Sequence, residues 1–442
     1  MRDPRGSLRL DAQSVTRTLH RPLTQTDFLH SALSARWVTE RRLVPFEIVD
    51  TMTIVSPRLT FVSLPEEWCD LQAHDAARFT LALQAEANAG DFDLKDASAW
   101  NVLFDGASPL FCDLLSFEPL ATRPWWAAGQ FSRHFLLPLL AARKRGFHAG
   151  DVLRVWRDGM PPAAARSMLG VARFLTRYWP LMAEGLASTD DAAAVPQVID
   201  PAALAPVRRY RESLLASFDW MLTGVRPSAG DREGVWASYE SERGHYVDSA
   251  MTSKRQVVAE WLQRVAPAWV ADLGCNAGEF SLMARDSGAQ VVAIDADHAA
   301  VQRLYRRVAG TRGIHPVRAT FDDLCGGRGW SGAEFAGLAA RMEGRFDLVM
   351  MLALVHHLAV GASIPLVEIA RFVHRSSRGW ALIELIGSDD PQMRLLCSQR
   401  RRDAAEFGLT AQREAFLRAG FEINSEVVLS GASRSLALMR KL

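Results

Sequence analysis

Lysine is nearly missing: Lys95, Lys144, Lys254 and Lys441 are the only ones in 442 residues. Arginine carries almost all the positive charge, which reads as composition rather than chemistry. The 51 basic and 50 acidic residues nearly cancel. No global field therefore draws the chain to nucleic acid or to an anionic membrane, and nucleic acid is disfavoured as a partner. The five cysteines (Cys69, Cys112, Cys275, Cys325 and Cys397) are scattered, with no CxxC pair and no histidine at zinc spacing. They read as reduced thiols, and no metal is expected. The longest apolar runs, Phe135 to Ala142 and Leu348 to Val355, are too short to cross a bilayer. The opening MRDPRGSLRLDAQ lacks the apolar stretch of a signal peptide. The expectation is a cytoplasmic protein with no membrane span.

What is present fits two folded domains. The length exceeds what one core usually serves, and 49% hydrophobic with 23% charged residues is ordinary for a globular chain. No solenoid or propeller period appears. Proline, glycine and charge collect at Arg226 to Gly234, the composition of a linker, so the domains are placed at 1–228 and 229–442. Beyond the linker, helical and apolar segments alternate. Helices are expected at Ser253 to Val265 and Gly278 to Asp286. A further one carries Val301, Leu304 and Val308 and stops at Gly310. Strands are expected at Trp269 to Leu273, Gln290 to Asp295, Ile314 to Thr320, Phe346 to Leu352 and Trp380 to Ile386. Such alternation predicts a doubly wound parallel α/β sheet. Phe421 to Leu429 and Ser433 to Arg440 are joined too closely for a helical crossover and predict an antiparallel edge hairpin. The first half reads as α+β and then helical, with a strand at Ile54 to Val62, a helix at Leu71 to Ala87, a hairpin around Leu103 to Leu114 and mostly helix from Trp125 to Leu222.

The most informative run is Val270-Ala-Asp-Leu-Gly-Cys-Asn-Ala-Gly-Glu-Phe-Ser281, a strand ending in an acid, a glycine turn and a helix start. A dinucleotide fingerprint would need glycines where Asn276 and Glu279 stand, and only Gly274 fits. Glu279 would also set like charge against a pyrophosphate at the helix N-terminus. The ammonium and sulfonium of S-adenosylmethionine suit acids at Asp272 and Glu279. Asp295 ends the next strand 23 residues after Asp272, where a carboxylate can accept both ribose hydroxyls. A third acid, Asp322 or Asp323, falls where an adenine amino group would lie. The expected cofactor-binding residues are Asp272, Gly274, Asn276, Gly278, Glu279, Asp295 and Asp323, with Asp322 as the alternative to the last. These motifs resemble those of class I methyltransferases over residues 253–442, which implies a Rossmann-like sheet.

Methyl transfer needs alignment of a nucleophile and, for a hydroxyl acceptor, removal of a proton. The fourth strand runs into His356 and His357, either of which can face the acceptor as catalytic residue or pack beside the cofactor. Glu384 ends the following strand, where it is either a pocket residue or a satisfied structural acid, while Trp330, Trp236 and Tyr239 are candidates to line or cover the pocket, with core packing the default for each.

In the first half, Asp96, Asn101 and an acid twelve positions on, Asp113, resemble the catalytic and metal-binding loops of kinase-like folds. Residues 1–60 hold a single glycine, Gly6, and no lysine, so the phosphate grip of an active kinase is missing. DLGCNAGEFS, LALVHHL, IELIGSDDPQ and LKDASAWNVLF together resemble a bacterial family of two-part class I methyltransferases, with some relatives associated with nodulation in rhizobia. That likeness implies an S-adenosylmethionine-dependent enzyme behind a kinase-like, degenerate first half. The acceptor would be a small molecule, a glycan or a lipid-linked saccharide, chosen with help from the N-terminal half. The alternatives are a bifunctional kinase and methyltransferase working on one acceptor, and a non-catalytic binding protein of the same fold. Oligomeric state is not legible in the sequence.

Overall fold

A computed structural model describes residues 5–121, 123–182, 201–228, 248–324 and 326–442. Trp236, Tyr239, Cys325 and most of the expected linker lie outside the described residues. The chain divides into two compact units, Met1–Asp231 and Arg232–Leu442.

The first unit is α+β. Strands β1 (Gly6–Leu10), β2 (Ser14–Leu19), β3 (Glu47–Asp50) and β4 (Thr53–Pro57) form an antiparallel sheet in the order β1-β2-β4-β3. Helix α1 (Ala32–Thr39) lies between β2 and β3 in sequence and is capped by Ser31, whose hydroxyl accepts from the Ser34 amide at 3.1 Å. Helix α2 (Asp70–Ala89) follows, with most of its surface buried. Two small ladders come next. Strand β5 (Phe92–Leu94) pairs with β8 (Phe117–Pro119), and β6 (Val102–Asp105) pairs with β7 (Ser108–Phe111). The rest is helical: α3 (Ala128–Phe131), α4 (Leu137–Arg145), α5 (Ala149–Val155), α6 (Pro162–Leu169), α7 (Trp179–Met182) and α8 (Pro201–Val225). The rings of Phe28 and Phe117 stack at 4.3 Å, with Trp37 and Phe111 against Phe117, which ties the small ladders to the start of α1. Helix α8 is fastened by Arg211, whose guanidinium meets Asp93 at 2.9 Å with both side chains fully buried.

In the second unit, α9 (Asp248–Val265) leads into β9 (Trp269–Leu273), α10 (Glu279–Asp286), β10 (Gln290–Asp295), α11 (His298–Val308) and β11 (Ile314–Arg318). Then come α12 (Leu338–Met342), β12 (Phe346–Met351), α13 (Leu366–Ser376), β13 (Ser377–Ile386), α14 (Pro391–Arg400), α15 (Leu409–Arg418), β14 (Phe421–Val428) and β15 (Arg434–Lys441). The seven strands run in the order β11-β10-β9-β12-β13-β15-β14. The first five are mutually parallel, β15 joins β13 antiparallel, and β14 completes the edge hairpin. Val270, Ala271, Val291, Val292, Leu348 and Val349 are all fully buried, as unbroken apolar strands covered on both faces must be. From β9 the chain builds outward through β10 and β11, then returns to lay β12 on the other side of β9. The strand order therefore reverses at β9, and the crevice at its carboxyl end is where such sheets hold ligands.

Candidate active site

The turn after β9 is built from left-handed residues at alternate positions: Gly274 (φ 77°), Asn276 (φ 48°) and Gly278 (φ 82°). A Cβ on Gly278 would stand 2.4 Å from Leu304 Cδ1, so only glycine lets α10 start this close to α11. The amides of Gly274 and Cys275 both donate to the Ile294 carbonyl, at 2.9 and 3.1 Å, and hold the turn against the end of β10. Asp295 completes the join by accepting from the backbone amides of Asn276 and Asp297, each at 2.8 Å. Burial pushes the Asp295 carboxyl above its ordinary range.

A cavity of about 450 Å³ opens here, within the size range of small-molecule sites. Asp272, Glu279, Asp295 and Asp322 line it, as do Gly274 and Asn276. Asp272 is buried, accepts from Ser281 Oγ at 2.5 Å, and is pushed up to about 6, chiefly by desolvation. Glu279 is paired with Arg255. Asp323 is not among the lining residues. The turn in which its amide returns to the Thr320 carbonyl at 3.4 Å leaves Asp322 on the cavity side. Gly278 is also off the lining, and its contribution is the shape of the turn.

Strand β12 delivers the two histidines to the same edge. Only His357 lines the cavity. His356 is buried with neither ring nitrogen partnered, and its ring centroid lies 4.1 Å from that of His357. Burial holds both imidazoles neutral: His357 is pushed down to about 4 and His356 falls well below its ordinary value. A π-turn at His357–Gly361 shapes this wall, with Ala353 at φ 54° just before it. Glu384 is not a pocket acid. It is fully buried, accepting from Lys254 Nζ at 2.5 Å and from Arg434 at 3.2 Å, while Arg434 also meets Asp390 at 2.7 Å. Trp330 is 75% exposed and does not line the cavity. Lys254, Phe280, Leu396 and Arg400 line it without having been picked out in the sequence. The scarcity of lysine, read as composition, gave no signal for Lys254.

In the first unit Asp96, Asn101 and Asp113 come together. The Asn101 amide donates to the Asp96 carbonyl at 3.2 Å and to Ser116 Oγ at 3.4 Å, and the Ser116 hydroxyl donates in turn to Asp113. Gln130 Nε2 donates to the Asp96 carboxylate at 2.8 Å, and Arg17 of β2 meets Asp113 at 3.2 Å. Burial first, then the Asp113 charge, raises the Asp96 carboxyl. Arg17 and Gln130 come from distant segments and carry no local motif.

Residues 243–426 match a family profile described as a methyltransferase domain. The chain is an S-adenosylmethionine-dependent methyltransferase. Over its length it is similar to nodulation protein NoeA of Rhizobium meliloti (strain 1021), 27% identical over 459 residues that cover 98% of this chain and 94% of that one. Among solved structures it resembles the magnesium protoporphyrin IX methyltransferase ChlM of Synechocystis PCC 6803 with bound SAH. That likeness has 14% identity, a TM-score of 0.33, and covers 46% of this chain and 94% of that one. An S-adenosylmethionine-dependent methyltransferase from Mesorhizobium loti matches at 18% identity and a TM-score of 0.31, covering 41% of this chain and 98% of the other. The methyltransferase's cavity suits its donor: a buried carboxylate that is costly to ionise, Asp272, gains from a cationic ligand. No helix among the described residues is long and apolar enough to cross a membrane.

Proposed function

We propose that Asp272 meets the ammonium of the donor, Asp295 its two ribose hydroxyls and Asp322 the adenine amino group. His357 then faces the acceptor, a small molecule, glycan or lipid-linked saccharide. The donor supplies an activated methyl group when bound. The protein's part is to align the acceptor and exclude water. The observation that carries this reading is the joint presence of Asp272, Asp295, Asp322 and His357 around one cavity. Labelled methyl donor incubated with cell extracts tests it: incorporation by the intact chain, lost in Asp295→Ala, is expected. Incorporation that persists in that variant removes the ribose assignment.

The N-terminal unit, in this proposal, is a kinase-like domain that helps to choose the acceptor. The near full-length likeness to a nodulation protein supports two units acting in one process, and a nodulation-associated role for it. The meeting of Asp96, Asn101, Asp113 and Arg17 favours a second reading, in which this unit also transfers phosphate. Magnesium-dependent ATP turnover, lost in Asp113→Ala, supports that second activity. No nucleotide binding at millimolar ATP removes it.

A further inference from the structure

Most of the cavity's charged lining is committed. Glu279 is paired with Arg255, Lys254 with Glu384, and Asp295 with two backbone amides. Asp322 and Arg400 are the exceptions: among the described residues neither side chain has a hydrogen bond or ion pair, which leaves Arg400, exposed at the cavity's edge, as its uncommitted cation. Arg400 occupies the last turn of α14, which ends as Arg401 turns left-handed at φ 53°. Helix α14 packs on the π-turn His357–Gly361, so Arg400 and Leu396 stand on the His357 side. Thr320 to Asp322 follow β11, on the far side of β9 and β10.

A second observation concerns protons. A hydroxyl acceptor must lose one, yet no group on this wall is a strong base. His357 is held near 4, His356 is sealed from the cavity, and Glu384 is bound to two cations. An oxyanion needs no base, and a free guanidinium is the side chain suited to hold one.

Resting on the transferase reading above, we propose that the acceptor presents an oxyanion, a carboxylate or a phosphate. Arg400 seats it beside His357, and one of its oxygens takes the methyl group. The acceptor oxygen forms the new O–C bond with its own lone pair as the S–C bond breaks. The S–C electron pair stays on sulfur as a neutral thioether, and no proton is released. Arg400 is thereby a specificity-determining residue.

The test uses the full chain, labelled methyl donor and a small-molecule extract fractionated on an anion exchanger at neutral pH. Acceptor activity is expected only in retained fractions. The product should release labelled methanol in mild alkali if it is a carboxylate ester, or lose its label to a phosphodiesterase if it is a phosphate ester. Arg400→Ala should lower transfer at least tenfold while S-adenosylhomocysteine affinity by calorimetry stays within twofold, and Arg400→Lys should recover part of the loss. Activity confined to unretained fractions, or a label stable to both treatments, overturns the oxyanion while leaving the transferase intact. An equal loss of S-adenosylhomocysteine affinity in Arg400→Ala overturns the assignment by giving Arg400 to the donor. No incorporation from any fraction counts against a diffusible acceptor and against this proposal with it.

Discussion

The backbone amide of Asn276 donates to the carboxylate of Asp295 at 2.8 Å, so the residue proposed to hold the donor's ribose also fixes the adjacent turn. One side chain thus serves two strands of the sheet. Asp295→Ala is expected to weaken S-adenosylhomocysteine binding at least tenfold by calorimetry, because the ligand loses a charged acceptor and the turn loses its tie. Asp295→Asn keeps one acceptor oxygen and should fall between the two.

Asp272, as the proposed ammonium partner, is expected to tie donor affinity to pH. Its carboxyl is pushed up to about 6 in the free protein. Below that value it is protonated and cannot attract an ammonium, and above it the carboxylate is present. A cationic ligand binds the ionised form, so affinity should rise with pH, by nearly tenfold per unit below 6, and level off above it. Asp272→Asn should bind weakly with no such slope between pH 5 and 7. A wild-type affinity that is flat across that range would rule out Asp272 as the ammonium partner.

The histidines should separate in their effects. His357→Ala is expected to lower turnover more than donor affinity, since His357 borders the cavity. The wild-type rate should show no histidine inflection between pH 6 and 8, because His357 titrates near 4. His356→Ala removes a buried ring and should chiefly lower stability, by about 2–4 kcal/mol in urea unfolding.

In the first unit, Arg211 and Asp93 offer a test of a buried pair. Burial is the larger influence on each, raising Asp93 and lowering Arg211. Arg211→Ala leaves Asp93 uncompensated and should cost about 3–5 kcal/mol in denaturant unfolding. The double change Arg211→Met with Asp93→Asn should recover most of that loss.

The second unit was largely legible because its strands are unbroken apolar runs that end in acids lining the cavity. Asp272 and Asp295 needed only period and position. The choice between Asp322 and Asp323 depended on how one turn folds, which a local pattern does not record. His356 and His357 are equivalent in sequence and differ only through the π-turn that follows them. Lys254, Arg400 and Arg17 were missed because each meets its site from a remote segment. Strands β1 to β3 were missed for another reason. Much of their surface is exposed, so they lack the alternation that marked β4, and β4 itself stops at Pro57 instead of running to Val62.

Glu384 has an implication for synthesis. It holds Lys254 of the unit's leading helix and Arg434 of β15, the latest strand of the sheet to be made. Until Arg434 has left the ribosome, Glu384 lacks one of its two cations, and the wall carrying Lys254 is incompletely neutralised. A nascent chain stalled before residue 434 should therefore fail to retain the methyl donor, although every acid proposed to bind it has already been translated.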